Sequence, residues 1–293
     1  MRLRLVFGVV GRQLQYFSPT FAAPVLLALW DGDPRSAGVF LLSLFVCLGV
    51  GSAWHRGYEQ PRVFWRAEAL AVVSGTWLAV AAAAAVPYLG FGLSVIDAYF
   101  EAMSGLTTTG STVIVGLDST LAGVLLWRAL LQWLGGIGII AMAIAILPLL
   151  QVGGMQLFRM ESSDASDKVM PRAAQIVTAI AVIYVALTLI CALLYWLFGM
   201  SGFDAMAHAM TTIATGGFST HDDTIGYFRS ARIAATATVF MIVGGLPFVL
   251  YLQALWKRAL ERRLRVGSRA LQRVSREENL HLLCTREAGA RLR

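Results

Sequence analysis

Over 293 residues, 57% of side chains are hydrophobic and only 14% charged, too little charge to cover a soluble surface, where about a quarter is usual. Apolar blocks of about 20 residues, enough helix to cross a hydrocarbon core of roughly 30 Å, recur along the chain without the period of two that a barrel strand needs. An all-α integral membrane protein is expected, and the net charge of +7 belongs to loops facing the cytoplasm and anionic lipid, with no nucleic acid implied.

In chain order, Arg2 and Arg4 resemble the start of a signal peptide, but Arg12 and Gln13 interrupt the apolar core it needs, so a retained helix is expected. Six spans are predicted: residues 5–30, ending at Asp31-Gly32-Asp33-Pro34, then 37–54, 67–89, 121–150, 173–198 and 233–256. Trp30, Trp54 and Trp256 at span ends read as interfacial anchors. Cys47, Cys191 and Cys284 are widely spaced and read as small core residues; no disulfide framework or metal site follows.

Cations mark alternate connections: Arg2, Arg4 and Arg12 before the first span, Arg56, Arg62 and Arg66 between the second and third, Arg159, Lys168 and Arg172 between the fourth and fifth, and a basic tail from Lys257. The other connections, 31–36, 90–120 and 200–232, carry few, so both termini are expected in the cytoplasm. Five segments result: two N-terminal transmembrane helices over 1–60, a helix–pore loop–helix repeat over 61–154, a cytoplasmic connector over 155–170, a second repeat over 171–256 and a basic tail over 257–293.

The repeat shows at an offset of 107 residues. Asp97, Ala98, Ala102 and Met103 meet Asp204, Ala205, Ala209 and Met210; Leu106 meets Ile213, Thr108 meets Thr215 and Gly110 meets Gly217. Gly135-Gly136 and Gly244-Gly245 also correspond, with a two-residue slip. Residues 95–106 are too short to span but long enough to dip into the membrane. The Thr/Gly segment that follows each short helix cannot be lipid-exposed non-helical backbone, because its polar groups would go unpaired. Its carbonyls are tolerated there if they line a water-filled pathway, where they can replace the hydration shell of a monovalent cation.

Thr107-Thr108-Thr109-Gly110-Ser111-Thr112 and Ala214-Thr215-Gly216-Gly217-Phe218-Ser219-Thr220, each between two helices, resemble the Trk/Ktr/HKT superfamily of potassium transporters, specifically the TrkH-type membrane subunit. Arg128 and the run from Gln132 to Gly138 fit that family's first unit. The resemblance implies a bacterial inner-membrane potassium-uptake path whose selectivity filter includes Thr108, Thr109, Gly110, Thr215, Gly216 and Gly217, with K⁺ at Thr108, Gly110, Thr215 and Gly217. It also implies a homodimer, a cytosolic TrkA-type nucleotide-binding regulatory subunit, and no cofactor beyond the transported K⁺. Members carry four such units around one pore and this sequence holds two. Because an Arg-rich run follows Trp256, a truncated product is expected in preference to two half-channel chains assembling. That run reads as disordered or bound at the lipid surface.

Two readings stand for Asp97, Glu101 and Asp204: a negative outer mouth that concentrates cations, or support of the short helices. Capping is favoured for the aspartates, and Glu101 is open between the two. Arg128, inside an apolar span, is expected to pair with an acid such as Glu101 or Glu68. His221-Asp222-Asp223 reads as a solvated outer loop, and Gly135-Gly136-Ile137-Gly138 as close helix packing rather than a hinge. The spans offer almost no pairing of nucleophile and base, so no enzyme is expected.

Overall fold

The computed structural model describes residues 2–56, 58, 65–150, 169–248, 250–252 and 254, the side chains of 66, 143–150 and 169–174 excepted. Within these residues the chain is all-helical. The elements are α1 (Leu3–Phe17), α2 (Ala22–Trp30), α3 (Pro34–His55), α4 (Arg66–Gly90), α5 (Val95–Leu106), α6 (Ala122–Leu150), α7 (Val169–Leu197), α8 (Gly202–Ile213) and α9 (Ala231–Gly245). Four described helices contain a stretch long and apolar enough to cross a membrane: Pro34–His55, Ala67–Gly90, Ala122–Met142 and Gln175–Leu197.

Two predicted spans are interrupted. The one expected over 5–30 breaks into α1 and α2 around a tight turn, Ser18–Phe21. Pro19 has no N–H to continue the helix, and the Ser18 and Thr20 hydroxyls bond back to the Gln15 and Phe17 carbonyls at 2.9 and 2.7 Å. The span expected over 233–256 is α9 only as far as Gly245, because Pro247 lacks a donor and disfavours helix at Leu246. The described residues from Leu246 belong to a separate unit, in which the Leu250 N–H donates to the Pro247 carbonyl at 2.9 Å. Glu161 to Lys168 of the connector, Arg62, Arg159, Trp256 and the tail with His281 and Cys284 lie outside the described residues.

Asp33 starts α3 by accepting the N–H groups of Arg35 and Ser36, each at 3.1 Å, with Pro34 at a position where its missing donor costs nothing. Phe21, the last residue of the turn between α1 and α2, stacks on Trp127 of α6 with centroids 4.4 Å apart, and Phe40 of α3 closes the cluster from the side. Trp127 also donates to the Ala84 carbonyl of α4 at 3.0 Å. The N-terminal helices are thus sealed against the first repeat. Arg2 pairs with Glu68 at 2.7 Å, joining the start of the chain to the start of α4.

The duplication extends beyond the expected motif. Phe91-Gly92-Leu93-Ser94 and Phe198-Gly199-Met200-Ser201 end α4 and α7 in the same way. Gly92 and Gly199 take the left-handed backbone at φ 93° and 110°, and Leu93 and Met200 each donate an N–H at 3.1 Å to a tyrosine carbonyl, of Tyr88 and Tyr195. One spanning helix, one 12-residue helix of about 18 Å and one further helix therefore recur as a unit. Helix α6 packs on the short helices of both units.

Candidate ion-selectivity filter

Both short helices begin with a serine. The Ser94 hydroxyl accepts the Asp97 N–H at 3.2 Å and donates to the Asp97 carboxylate at 2.7 Å. Ser201 repeats this with Asp204 at 3.0 and 2.7 Å. The caps expected at Asp97 and Asp204 therefore lie three residues earlier. The aspartates occupy the first turn, where a carboxylate meets the positive end of the helix. Asp204 also accepts the Thr220 hydroxyl at 2.7 Å.

At the other end, α5 and α8 turn into the Thr/Gly segments through matched bonds. Thr108 and Thr215 donate at 3.0 Å to Gly105 and Thr212, and Thr109 and Gly216 at 2.9 Å to Ser104 and Thr211. Thr108 and Thr215 hold left-handed φ values of 54° and 53°, rare for a β-branched residue, and Gly110 and Gly217 both sit at 82°. Among the described residues no hydrogen bond ends on the carbonyl oxygens of 108–110 or 215–217. Those just beyond are occupied: Ser111 takes the Ser104 hydroxyl at 2.6 Å and Ser219 takes Arg128 at 2.8 Å.

Helix α6 forms the seam between the segments. A Cβ at Gly135 would overlap the Leu106 carbonyl at the end of α5. One at Gly136 would lie 2.6 Å from the Tyr184 hydroxyl and 3.1 Å from Ala214, at the end of α8. These glycines serve close packing, as expected. Higher on the same face, Arg128 donates to Glu101 at 2.8 Å and lies 4.2 Å over the Phe218 ring, and Gln132 one turn later accepts the Phe218 N–H at 3.0 Å.

Glu101 is fully buried and accepts the Thr112 hydroxyl, the Val113 N–H at 3.1 Å and Arg128. Its buried carboxylate ties the first segment to α5 and α6. Glu68, the other expected partner of Arg128, is engaged by Arg2. His208 takes the matching place in α8. Its Nδ1–H donates to the Asp204 carbonyl at 2.8 Å and its Nε2 accepts the Ser219 hydroxyl at 2.9 Å. Thr112 and Ser219 are themselves 107 residues apart, so each short helix holds its own segment at the same rung.

The loop at 221–223 is solvent-exposed at Asp222 and Asp223, as expected, and it is also fastened to the loop that follows the first segment. Asp222 accepts the N–H groups of Gly116 and Leu117 at 3.1 and 3.0 Å. His221 hydrogen-bonds Asp118 through Nδ1, stacks on Tyr227 at 3.6 Å, and brings Nε2 to 3.4 Å from Asp204. The bond from His221 holds the Asp118 carboxyl below the ordinary carboxylate range. No group of three or more His, Cys, Asp or Glu is placed to hold a metal among the described residues. The supporting roles of Gln132 and Asp222 were not read from the sequence, where one stood only in the run that resembles the family and the other only in the 221–223 loop. A polar residue four positions after Arg128 in an otherwise apolar helix was the available signal for Gln132.

The profile of the TrkH family, described as cation transport protein, matches residues 39–275. The chain belongs to the TrkH family. It is 42% identical over 261 residues to the Trk system potassium uptake protein TrkH of Vibrio parahaemolyticus, covering 87% of this chain and 53% of that protein. It is 40% identical over 269 residues to the protein of the same name from Escherichia coli, covering 89% and 55%. The crystal structure of the potassium transporter TrkH from Vibrio parahaemolyticus superposes with a TM-score of 0.78 at 38% identity, covering 88% of this chain and 53% of that one. The chain spans about half the length of the curated relatives it matches. TrkH is a family of membrane transporters rather than enzymes, and this member is a multi-pass helical membrane protein.

Proposed function

We propose that this TrkH-family chain contributes two filter segments to a potassium-uptake pore, with K⁺ held by backbone carbonyls at Thr108, Gly110, Thr215 and Gly217. The observation that carries the reading is the unclaimed row of carbonyls at 108–110 and 215–217 beside left-handed residues at matched positions. Carbonyl rings replace the hydration shell of a cation in this manner. The relatives are named potassium uptake proteins, which supplies the ion. Helices α5 and α8 add the partial negative charge of their C-terminal ends. On this reading the membrane is the bacterial inner membrane, both termini are cytoplasmic, the chain pairs with a second copy, and a cytosolic TrkA-type subunit regulates it. The five segments with bounds at 60, 154, 170 and 256 belong to the same proposal.

A second reading, that the chain is a truncated or half-channel subunit that does not conduct alone and acts only as an assembly or structural partner in a larger ring, is favoured by one asymmetry. A Cβ at Gly110 would strike the Gly216 carbonyl, whereas one at Gly217 meets nothing within 4 Å among the described residues. The second segment thus has a free side where further filter segments would fit. The test is growth at low potassium of cells lacking their own K⁺ transporters and expressing this chain. Gly217→Ser is the control, because the new side chain meets no atom within 4 Å among the described residues and its cost is confined to left-handed strain of about 1–2 kcal/mol. Rescue that Gly217→Ser abolishes supports conduction by the chain; membrane insertion without rescue supports the ring, and rescue indifferent to Gly217→Ser removes the filter assignment.

A further inference from the structure

Gln132 is fully buried on α6, one turn after Arg128. Its Oε1 accepts the Phe218 N–H at 3.0 Å, which fixes the orientation of the carboxamide, since only the oxygen can accept. Nε2 is buried with no hydrogen-bond partner among the described residues, and a Cβ at Gly110 would lie 3.7 Å from it. A Cβ at Gly216 would fall within the carboxamide itself. Gly216 has no left-handed φ, and Thr109 stands at its place in the first segment. Glycine at 216 therefore makes room for Gln132.

A peptide group is planar and trans, so its C=O points opposite to its N–H. The N–H of the peptide joining Gly217 to Phe218 is held toward α6, and the Gly217 carbonyl consequently points away from α6. Gly217, at φ 82° with no described residue where a Cβ would sit, offers little resistance of its own to rotation of that peptide. The counterpart of Gln132 in the second repeat, by the two-residue slip of the following helices, is Met241, which has no comparable donor or acceptor.

We propose that Gln132 is a positioning residue of the filter: its carboxamide holds the Gly217–Phe218 peptide in the orientation that presents the Gly217 carbonyl to the ion, and thereby sets the K⁺ over Na⁺ preference of the second segment. The proposal rests on the filter reading above.

Carbonyl-¹³C glycine with ¹⁵N phenylalanine labels three peptide bonds in the chain, 90–91, 202–203 and 217–218. Solid-state NMR of the full chain in lipid bilayers, with K⁺ titrated against Na⁺, reads the Gly217 carbonyl directly and uses the other two as controls of the fold. In the wild type the Gly217 signal is expected to shift with K⁺. Gln132→Met, similar in length but without an acceptor, is expected to lose about tenfold in K⁺ over Na⁺ preference, equivalent to roughly 1.4 kcal/mol, while Gln132→Glu, which keeps an oxygen, retains most of it. An unchanged K⁺ response in Gln132→Met, with both controls in place, overturns the positioning role. A wild type whose Gly217 signal ignores K⁺ overturns the filter reading as well. If Gln132→Met displaces the control signals, hydrogen exchange of the Phe218 amide in the wild type decides: slow exchange supports the bond, and exchange at the rate of exposed loop amides overturns it.

Discussion

Arg128 and Glu101 meet at 2.8 Å with side chains 1% and 0% exposed, and through Ser219 the same guanidinium reaches the second repeat. A buried pair of this kind gains stability only while both partners are present, because the attraction offsets a large desolvation cost. Glu101→Leu leaves a buried cation unpaired and is expected to cost about 3–5 kcal/mol. The double variant Glu101→Leu with Arg128→Met is expected to cost less than Glu101→Leu alone. Thermal unfolding in detergent, followed by tryptophan fluorescence, measures both. Additive losses would show that the two residues act independently.

Gly110 and Gly217 share a φ of 82° but not their surroundings. Alanine at either site pays the left-handed penalty of about 1–2 kcal/mol. Only at Gly110 does the new methyl also strike backbone, the Gly216 carbonyl. Gly110→Ala is therefore expected to lose about 3 kcal/mol or more, and Gly217→Ala about half of that or less. Denaturation midpoints of the two variants of this chain make the comparison. Equal losses would mean that some further element packs against Gly217.

The membrane class, the helix order from α3 to α8 and the register of the duplication were legible in the sequence, because apolar length and a constant offset of 107 survive in the residues themselves. The breaks at Ser18-Pro19 and Leu246-Pro247 were less so. Both lie within runs apolar enough to read as continuous, although each proline was a local warning. At the candidate filter, the matched Thr and Gly positions followed from the repeat. Their supports are longer-range: Gln132 reaches Phe218 across 86 residues and Asp222 reaches Gly116 across 106. No local pattern encodes such pairings. Glu101 and His208 illustrate the difficulty best, since unlike side chains at matching places perform the same task.

Helix α9 carries adjacent glycines with different duties. A Cβ at Gly244 would lie 2.5 Å from the Ile213 carbonyl at the end of α8, mirroring Gly135 against Leu106, whereas one at Gly245 meets nothing within 4 Å among the described residues. Gly244→Ala is expected to push α9 off α8 and lose about 1–3 kcal/mol. Gly245→Ala, adding only helix propensity, is expected to change stability by less than about 1 kcal/mol, in the stabilising direction. Parallel melting curves test the pair. Matching losses would sink the assignment of the close approach to Gly244.

Asp118 lies in the loop between the first Thr/Gly segment and α6, outside the spans, and the hydrogen bond from His221 of the second repeat holds its carboxyl below the ordinary value. A carboxyl depressed in the folded state binds its proton more readily once unfolded. Its contribution is therefore fully present above the unfolded value of about 3.9 and is lost as pH falls through the lower folded value. The fastening between these two loops is expected to weaken only below about pH 4. Asp118→Asn should remove that part of the acid sensitivity and lower stability at neutral pH. Melting temperatures of wild type and variant between about pH 3 and 7 provide the check, because that interval brackets the titration. Parallel curves across this range would show that the His221–Asp118 contact contributes nothing to the fold.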